Sequence, residues 1–163
     1  MLAMAAAVFS VLLILTGAVK IARPHDVEKA LVGLGFPRIP GIGVIIGGGE
    51  LIVGVGALIF PTFLVAQGVL YIAFAIWVSL ALRSDVPIAS CGCLGRDDTP
   101  PTRAHVLLNV GAGLISAGAL FGSPLMLGEG AQLVSGLVVI GVGVFLSFVV
   151  LTDAAHLEGV RGS

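Results

Sequence analysis

The sequence predicts an all-α membrane protein with a four-helix transmembrane core and a fifth C-terminal span. Three observations lead to this prediction: 58% of the 163 residues are hydrophobic, only 10% are charged, and the mean hydropathy is +1.16. A soluble domain of this length needs far more polar surface. The length suits one helical bundle, so we expect a single domain over residues 1–163. The net charge of −1 offers nucleic acid no electrostatic attraction.

Five apolar runs are long enough to cross the hydrocarbon, which takes about 20 helical residues. The predicted spans cover about residues 1–20, 41–60, 62–82, 104–123 and 131–152. The first run lacks the positively charged start of a cleaved signal peptide, so we expect it to remain as a helix. Pro61 separates the second and third runs, and one straight helix through both would be about twice as long as the bilayer core is thick. We therefore expect a tight hairpin at Pro61.

The connection between the first two spans predicts a short amphipathic helix over about residues 24–34. Pro24 suits a first helical turn, and Val27, Leu31 and Leu34 follow at a helical spacing. We expect this helix to lie in the membrane interface rather than to be an ordinary connector.

All eight Lys and Arg residues fall on one side of a five-span topology. The positive-inside rule makes that side cytoplasmic, most simply in a bacterial inner (plasma) membrane, with the N-terminus outside. The loop over residues 83–102 would then face the cytoplasm. The eight residues are Lys20, Arg23, Lys29, Arg38, Arg83, Arg96, Arg103 and Arg161.

Glu50 is the one formally charged residue deep inside an apolar run. A carboxylate there is costly, so it must be paired, protonated or directed into the bundle. Lys20, at the end of the first span, is the expected partner because its long stem can reach inward. The pair is either a structural contact or a proton-handling group beside a reactive site.

His105 and Asn109 share one face near the start of the fourth span, and Thr102 is the expected N-cap of that helix. His105 is a candidate base for a thiol or a metal ligand, and the alternative is a histidine that simply lies at headgroup level. Gln67, in the third span, is a weaker candidate of the same kind.

Pairs of small residues four positions apart are common in this glycine-rich chain, and two of them are candidates for close helix packing. Gly43 and Gly47 form one pair, and Ala112 and Ser116 form the other. Such pairs let helices approach closely. We interpret them as packing within the bundle, although a homo-oligomer is also compatible with them.

The only two cysteines, Cys91 and Cys93, lie in the polar loop as Cys-Gly-Cys. A disulfide between them closes a tight ring, and ring strain makes it easier to reduce than a structural disulfide. Arg96, Arg103 and the start of the fourth helix favour the thiolate, whereas Asp97 and Asp98 oppose it. Redox exchange is the main interpretation, and two structurally ordinary cysteines or a soft metal ion such as Cu(I) are the alternatives. Two sulfur ligands are too few for zinc, so no metal site is predicted.

The chain resembles the MauE-like membrane proteins, a methylamine-utilisation group related to the DoxX-like proteins. Four features over about residues 8–122 carry the resemblance. They are the Thr-Gly-Ala-Val-Lys segment at residues 16–20 followed by Pro24, the acid at Glu50, the Cys-Gly-Cys-Leu-Gly element at residues 91–95, and a further span with Arg103 and Asn109. The family often has Phe where Leu94 stands here.

The resemblance implies a four-helix membrane core and a role in the maturation of methylamine dehydrogenase, whose small subunit is rich in disulfides. Disulfide formation in an exported protein would place the cysteine loop outside, whereas the charge distribution places it inside. The first functional hypothesis is thiol–disulfide exchange at Cys91 and Cys93, with a thioredoxin-like protein or a small thiol as partner and Glu50, Lys20, His105, Asn109 and Arg103 in support. Whether the chain is an enzyme stays open, and the matching class is thiol–disulfide oxidoreductase.

A quinone between the helices is compatible with this chemistry, although no motif indicates one and the known quinone-linked bundles generally use more than one cysteine pair. The second hypothesis is a non-enzymatic membrane accessory that assembles a partner or holds a soft metal.

Overall fold

A computed structural model describes residues 2–83, 102–121, 136, 138–147 and 149. The described chain is helical throughout, which confirms the predicted all-α class. The helices are α1 (Leu2–Ala22), α2 (Pro24–Gly33), α3 (Ile42–Ile59), α4 (Phe63–Arg83), α5 (Arg103–Ala119) and α6 (Val138–Ser147).

Three of these helices, α1, α3 and α4, are long and apolar enough to cross a membrane. They correspond to the first three predicted spans. Helix α5 has 17 residues and ends at Ala119, four residues before the predicted end of the fourth span. The described part of the fifth span is the short apolar helix α6. The count of four spans plus a fifth is therefore not confirmed by the described residues.

The outer surface of these helices is apolar, as expected for a protein surrounded by lipid. Ile45, Ile52 and Val69 are each about two-thirds exposed, and Leu107 is 73% exposed. Many buried positions instead hold small or polar side chains, such as Ala112, which is fully buried. Water would penalise this distribution, whereas hydrocarbon favours it. Together with the three apolar helices, it identifies an integral membrane protein.

Helices α1 and α3 run antiparallel and touch through their backbones. A side-chain carbon added at Gly47 would lie 2.6 Å from the carbonyl oxygen of Gly17, and one added at Gly17 would lie 2.6 Å from that of Gly47. Further along, Gly54 faces the carbonyl oxygen of Ser10 in the same way. Gly43 packs on Pro24, so the predicted small-residue pair on α3 serves packing within this chain.

Helices α4 and α5 complete the described core against α1. Leu13, Tyr71 and Ala112, one from each helix, form a buried apolar cluster. The Tyr71 hydroxyl donates to the carbonyl oxygen of Phe9 at 2.7 Å, and the two rings meet edge to face. These contacts place α1 between α3 on one side and the α4–α5 pair on the other.

Helix α2 is the predicted short amphipathic helix, and a buried carboxylate fixes it to the start of α3. Glu28 accepts a hydrogen bond from the backbone N–H of Gly41 at 2.8 Å. That hydrogen bond, with smaller contributions from His25 and Arg38, holds the pKa of Glu28 below its ordinary value, although burial opposes the shift. Gly41 has a φ of +80°, which only glycine adopts readily.

The antiparallel packing brings four chain positions to one end of the bundle: the end of α1, the start of α3, the end of α4 and the start of α5. We call this the α2 end. All six Lys and Arg residues of the described chain lie there, namely Lys20, Arg23, Lys29, Arg38, Arg83 and Arg103. The Phe60–Thr62 hairpin lies at the opposite end and carries no cation.

Candidate functional site

The two cysteines predicted to carry the chemistry, Cys91 and Cys93, lie outside the described residues. Their segment leaves the described structure after Arg83 and returns at Thr102. Both of these residues are at the α2 end. Several of the other predicted site residues are polar side chains buried in this half of the bundle, which the structure describes.

Lys20 and Glu50 form the predicted ion pair between α1 and α3. The Lys20 ammonium lies 2.8 Å from Oε1 of Glu50 and donates to Oε2 at 2.9 Å. The Thr16 hydroxyl donates to the same Oε2 at 2.9 Å. Oε1 has the ammonium close by but lies outside hydrogen-bond geometry. Lys20 is 5% exposed and Glu50 is fully buried, so the pair acts through a low-dielectric interior.

The close approach of Gly17 and Gly47 explains why this pair can form. Lys20 follows Gly17 by three residues, and Glu50 follows Gly47 by three residues, so each charged side chain lies one turn from the glycine contact. An aromatic ring borders the pair: the Lys20 nitrogen lies 5.5 Å from the centre of the Phe74 ring. The ring faces a cation that has left water, which adds to its stabilisation.

His105 belongs to a second buried polar group, at the start of α5. Its Nδ1 lies 2.7 Å from the Thr102 hydroxyl, and its own backbone N–H donates to that hydroxyl at 3.4 Å. Thr102 is thus the N-cap that the sequence predicts. Asn109 donates to the carbonyl oxygen of His105 at 2.7 Å, which joins the two residues predicted to share a face. Arg103 is exposed at the first residue of α5.

The Nε2 atom of His105 can still form a hydrogen bond or take up a proton. It is buried and has no hydrogen-bond partner among the described residues. If Nδ1 donates its hydrogen to the Thr102 hydroxyl, Nε2 carries a lone pair and is a base. A buried nitrogen without a partner costs free energy, which is characteristic of a position that meets a further group.

A third polar group lies closer to the opposite end and is centred on Gln67. Its side-chain amide donates to the carbonyl oxygen of Ala6 and to the Ser116 hydroxyl, both at 3.1 Å, and accepts from the Ser10 hydroxyl at 2.7 Å. Gln67 is fully buried, and the group connects α1, α4 and α5. The sequence indicated Gln67 only weakly, and it indicated Thr16 only as part of the segment that carries the family resemblance. Ser10 was missed, because short hydroxyl side chains are common in membrane helices.

An apolar groove of about 340 Å³ lies between α1 and α6. Among the described lining residues Thr16 is the one polar side chain, and its hydroxyl contacts Glu50. The other lining residues are Leu12, Leu15, Val19, Gly141, Val144 and Phe145. The groove therefore meets the buried ion pair at a single hydroxyl.

Within the described ranges, no group of three or more His, Cys, Asp or Glu side chains is arranged to hold a metal ion. The buried titratable side chains of α1, α3 and α5 near the α2 end are the Lys20–Glu50 pair and His105, which suit proton transfer and electrostatic support.

A family model matches most of this chain. The model of the family described as methylamine utilisation protein MauE matches residues 1–122. That range includes α1 to α5, the two buried groups near the α2 end and the segment with both cysteines. Neither a curated protein nor a solved structure matches the chain.

Proposed function

The chain belongs to the MauE family, and on this premise we propose that it is a membrane accessory protein of methylamine utilisation that exchanges disulfides through Cys91 and Cys93. The observation that carries the proposal is the buried His105, whose Nε2 has no hydrogen-bond partner among the described residues and which follows the cysteine segment closely in sequence. The Lys20–Glu50 pair supports it as a second buried titratable group in the same half of the bundle.

The proposed reaction is a pair of thiol–disulfide exchanges. A partner thiolate attacks one sulfur of the Cys91–Cys93 disulfide, which forms a mixed disulfide and releases the other cysteine as a thiolate. The partner's second thiolate then attacks the partner sulfur of the mixed disulfide and releases the remaining cysteine as a thiolate. The partner has gained a disulfide, and Cys91 and Cys93 are both reduced. An oxidised thioredoxin-like protein or a small-molecule disulfide then accepts the two electrons, which restores the Cys91–Cys93 disulfide.

His105 takes the role of proton acceptor in this proposal. When the reduced pair attacks the disulfide of the oxidised acceptor, the attacking cysteine must first lose its proton, and a neutral imidazole close by raises the thiolate fraction near neutral pH. Thr102 and Asn109 hold the ring and its backbone in place. Arg103, exposed at the same helix start, contributes positive charge that favours a thiolate.

The same proposal includes the arrangement in the membrane. Helices α5 and α6 belong to the fourth and fifth spans, and the α2 end faces the cytoplasm of a bacterial inner membrane. The six described cations at that end support this orientation, because Lys and Arg are enriched on the cytoplasmic side. The partner is then a cytoplasmic thiol protein or a small thiol.

The first experiment traps the mixed disulfide. In cells, Cys91→Ser and Cys93→Ser each keep one thiol, which can attack the disulfide of the oxidised acceptor but cannot resolve the mixed disulfide that forms. One of the two variants is therefore expected to accumulate a covalent complex that reducing agent releases. The variant with both cysteines replaced is the control. Labelling with a membrane-impermeant thiol reagent, before and after lysis, reports the side on which the cysteines lie.

The second experiment tests the histidine. Alkylation of the reduced cysteines, followed as a function of pH, should shift to higher pH in His105→Gln because the thiol loses its base. His25→Gln is the matched control, since His25 lies at the same end but is 73% exposed. Equal profiles for both variants would remove His105 from the mechanism.

If neither single-cysteine variant captures a partner, the exchange reaction is wrong and the family assignment leaves an accessory without turnover. Metal analysis after gentle purification then separates two forms of that alternative. Stoichiometric copper or zinc that is lost in Cys91→Ser would identify metal holding, and its absence would leave assembly of a partner.

A further inference from the structure

The outward surface of α2 and the connection to α3 combines cations with large apolar side chains. Lys29 and Arg38 are 75% and 71% exposed at their side chains. Val32, Phe36 and Ile39 are each exposed by between 45% and 49%. We call these five residues the α2 surface.

The acids of the same segment face inward. The side chain of Glu28 is 6% exposed and is held by the Gly41 N–H, and that of Asp26 is 12% exposed. Their contacts with the cations are loose: Arg38 lies 3.6 Å from Glu28, and Lys29 lies 3.9 Å from Asp26. The charge that this segment presents outward is therefore positive, although its acids and cations nearly balance in number.

Phe36 fixes the position of this surface relative to the membrane. Its ring lies 6.0 Å from that of Trp77 on α4, and Trp is typical of the boundary between headgroups and acyl chains. Beside Trp77, Ile76 and Leu80 are 57% and 49% exposed and belong to the lipid-facing side of α4. The α2 surface thus continues the lipid-facing surface of the bundle, which makes the bilayer its partner.

We propose that the α2 surface binds the headgroups of anionic phospholipids in the leaflet at the α2 end. Lys29 and Arg38 contact the phosphate and the net negative charge, while Val32, Phe36 and Ile39 lie among the upper acyl carbons. Helix α2 is then a lipid-selective element that holds the end of the bundle from which the cysteine segment emerges. The inference stands on the α2 surface alone and does not depend on the thiol chemistry.

The test uses the full chain in mixed micelles with equal amounts of phosphatidylglycerol and phosphatidylcholine of the same acyl chains, and native mass spectrometry counts the retained lipids. The unmodified chain should retain more phosphatidylglycerol. Lys29→Gln and Arg38→Gln should each lower that preference about fivefold, which corresponds to about 1 kcal/mol per cation. Lys29→Arg keeps the charge and should keep the preference.

Arg83→Gln is the matched control, because it removes a cation from the same end of the bundle but outside the α2 surface. It should leave the preference nearly unchanged, and unaltered Trp77 fluorescence should show that each variant is folded. Equal retention of both lipids by the unmodified chain would overturn the proposal, as would an equal loss in Arg83→Gln. Dimers that disappear in Phe36→Ser would also overturn it, since the surface would then cover a second copy.

Discussion

Removing one member of the Lys20–Glu50 pair should destabilise the bundle far more than removing both. In Lys20→Met the stem keeps its volume, but Glu50 loses a cation at 2.8 Å and retains the Thr16 hydroxyl. Losing one partner of a buried pair costs about 3–5 kcal/mol in soluble proteins. Because a chain denatured in a micelle finds other partners, we expect about 2–3 kcal/mol here.

The double variant Lys20→Met/Glu50→Met should lie within about 1 kcal/mol of the unmodified chain, because two apolar side chains of similar volume replace two charges that burial penalises. The assay is reversible unfolding by SDS in mixed micelles, followed by circular dichroism. Lys29→Met is the control: its ion pair is 3.9 Å long and 75% exposed on the lysine side, and its loss should cost less than about 0.5 kcal/mol.

The result that would refute this reasoning is a Lys20→Met variant no less stable than Lys29→Met. A second refutation would be a double variant as unstable as the single one, because the cost would then come from packing and not from an unpaired charge. With Glu50→Met as the fourth protein, the double-mutant cycle of the unmodified chain, the two single variants and the double variant measures the coupling of the pair directly.

Two further predictions use the same preparations. Gly47→Ala should lower the free energy of unfolding by about 1–3 kcal/mol, because its new carbon would lie 2.6 Å from the backbone oxygen of Gly17. The control Gly48→Ala meets nothing within 4 Å and should be neutral or slightly stabilising. SDS unfolding measures both variants. The Glu28 carboxylate has a lowered pKa, so its contribution to stability is complete above its ordinary value of 4.5 and is lost as the pH falls through the lower pKa of the folded state. Protection of the Gly41 amide from hydrogen exchange should fall over that range, and Glu28→Gln should lack this step.

The ion pair could be predicted from sequence because burying a charge is so costly that few arrangements are open to it. Glu50 lies within an apolar run, and among the cations at the ends of the spans Lys20 has the reach to meet it. The N-cap at Thr102 was predictable for a similar reason, since the first N–H groups of a helix need a partner and a threonine immediately before the helix supplies it.

The Gln67 group shows what the sequence could not provide. Its partners lie 49 to 61 residues away along the chain and are two serine hydroxyls and a backbone carbonyl. A neutral amide tolerates many environments, so nothing local indicates which helices it joins. The link from Glu28 to Gly41 was hidden for another reason, because it depends on a backbone N–H, which every residue except proline carries.

Stability alone does not explain why this bundle contains a buried charge pair. The glycine contacts already bring α1 and α3 together, and apolar side chains at positions 20 and 50 would avoid the cost of moving two charges out of water. Two roles are then open to the pair: it fixes the register of the two helices, or it holds a proton for the proposed disulfide exchange. The double variant separates these possibilities: if it is stable but no longer exchanges disulfides, the pair serves the reaction, and if it is stable and still exchanges them, the pair serves the register.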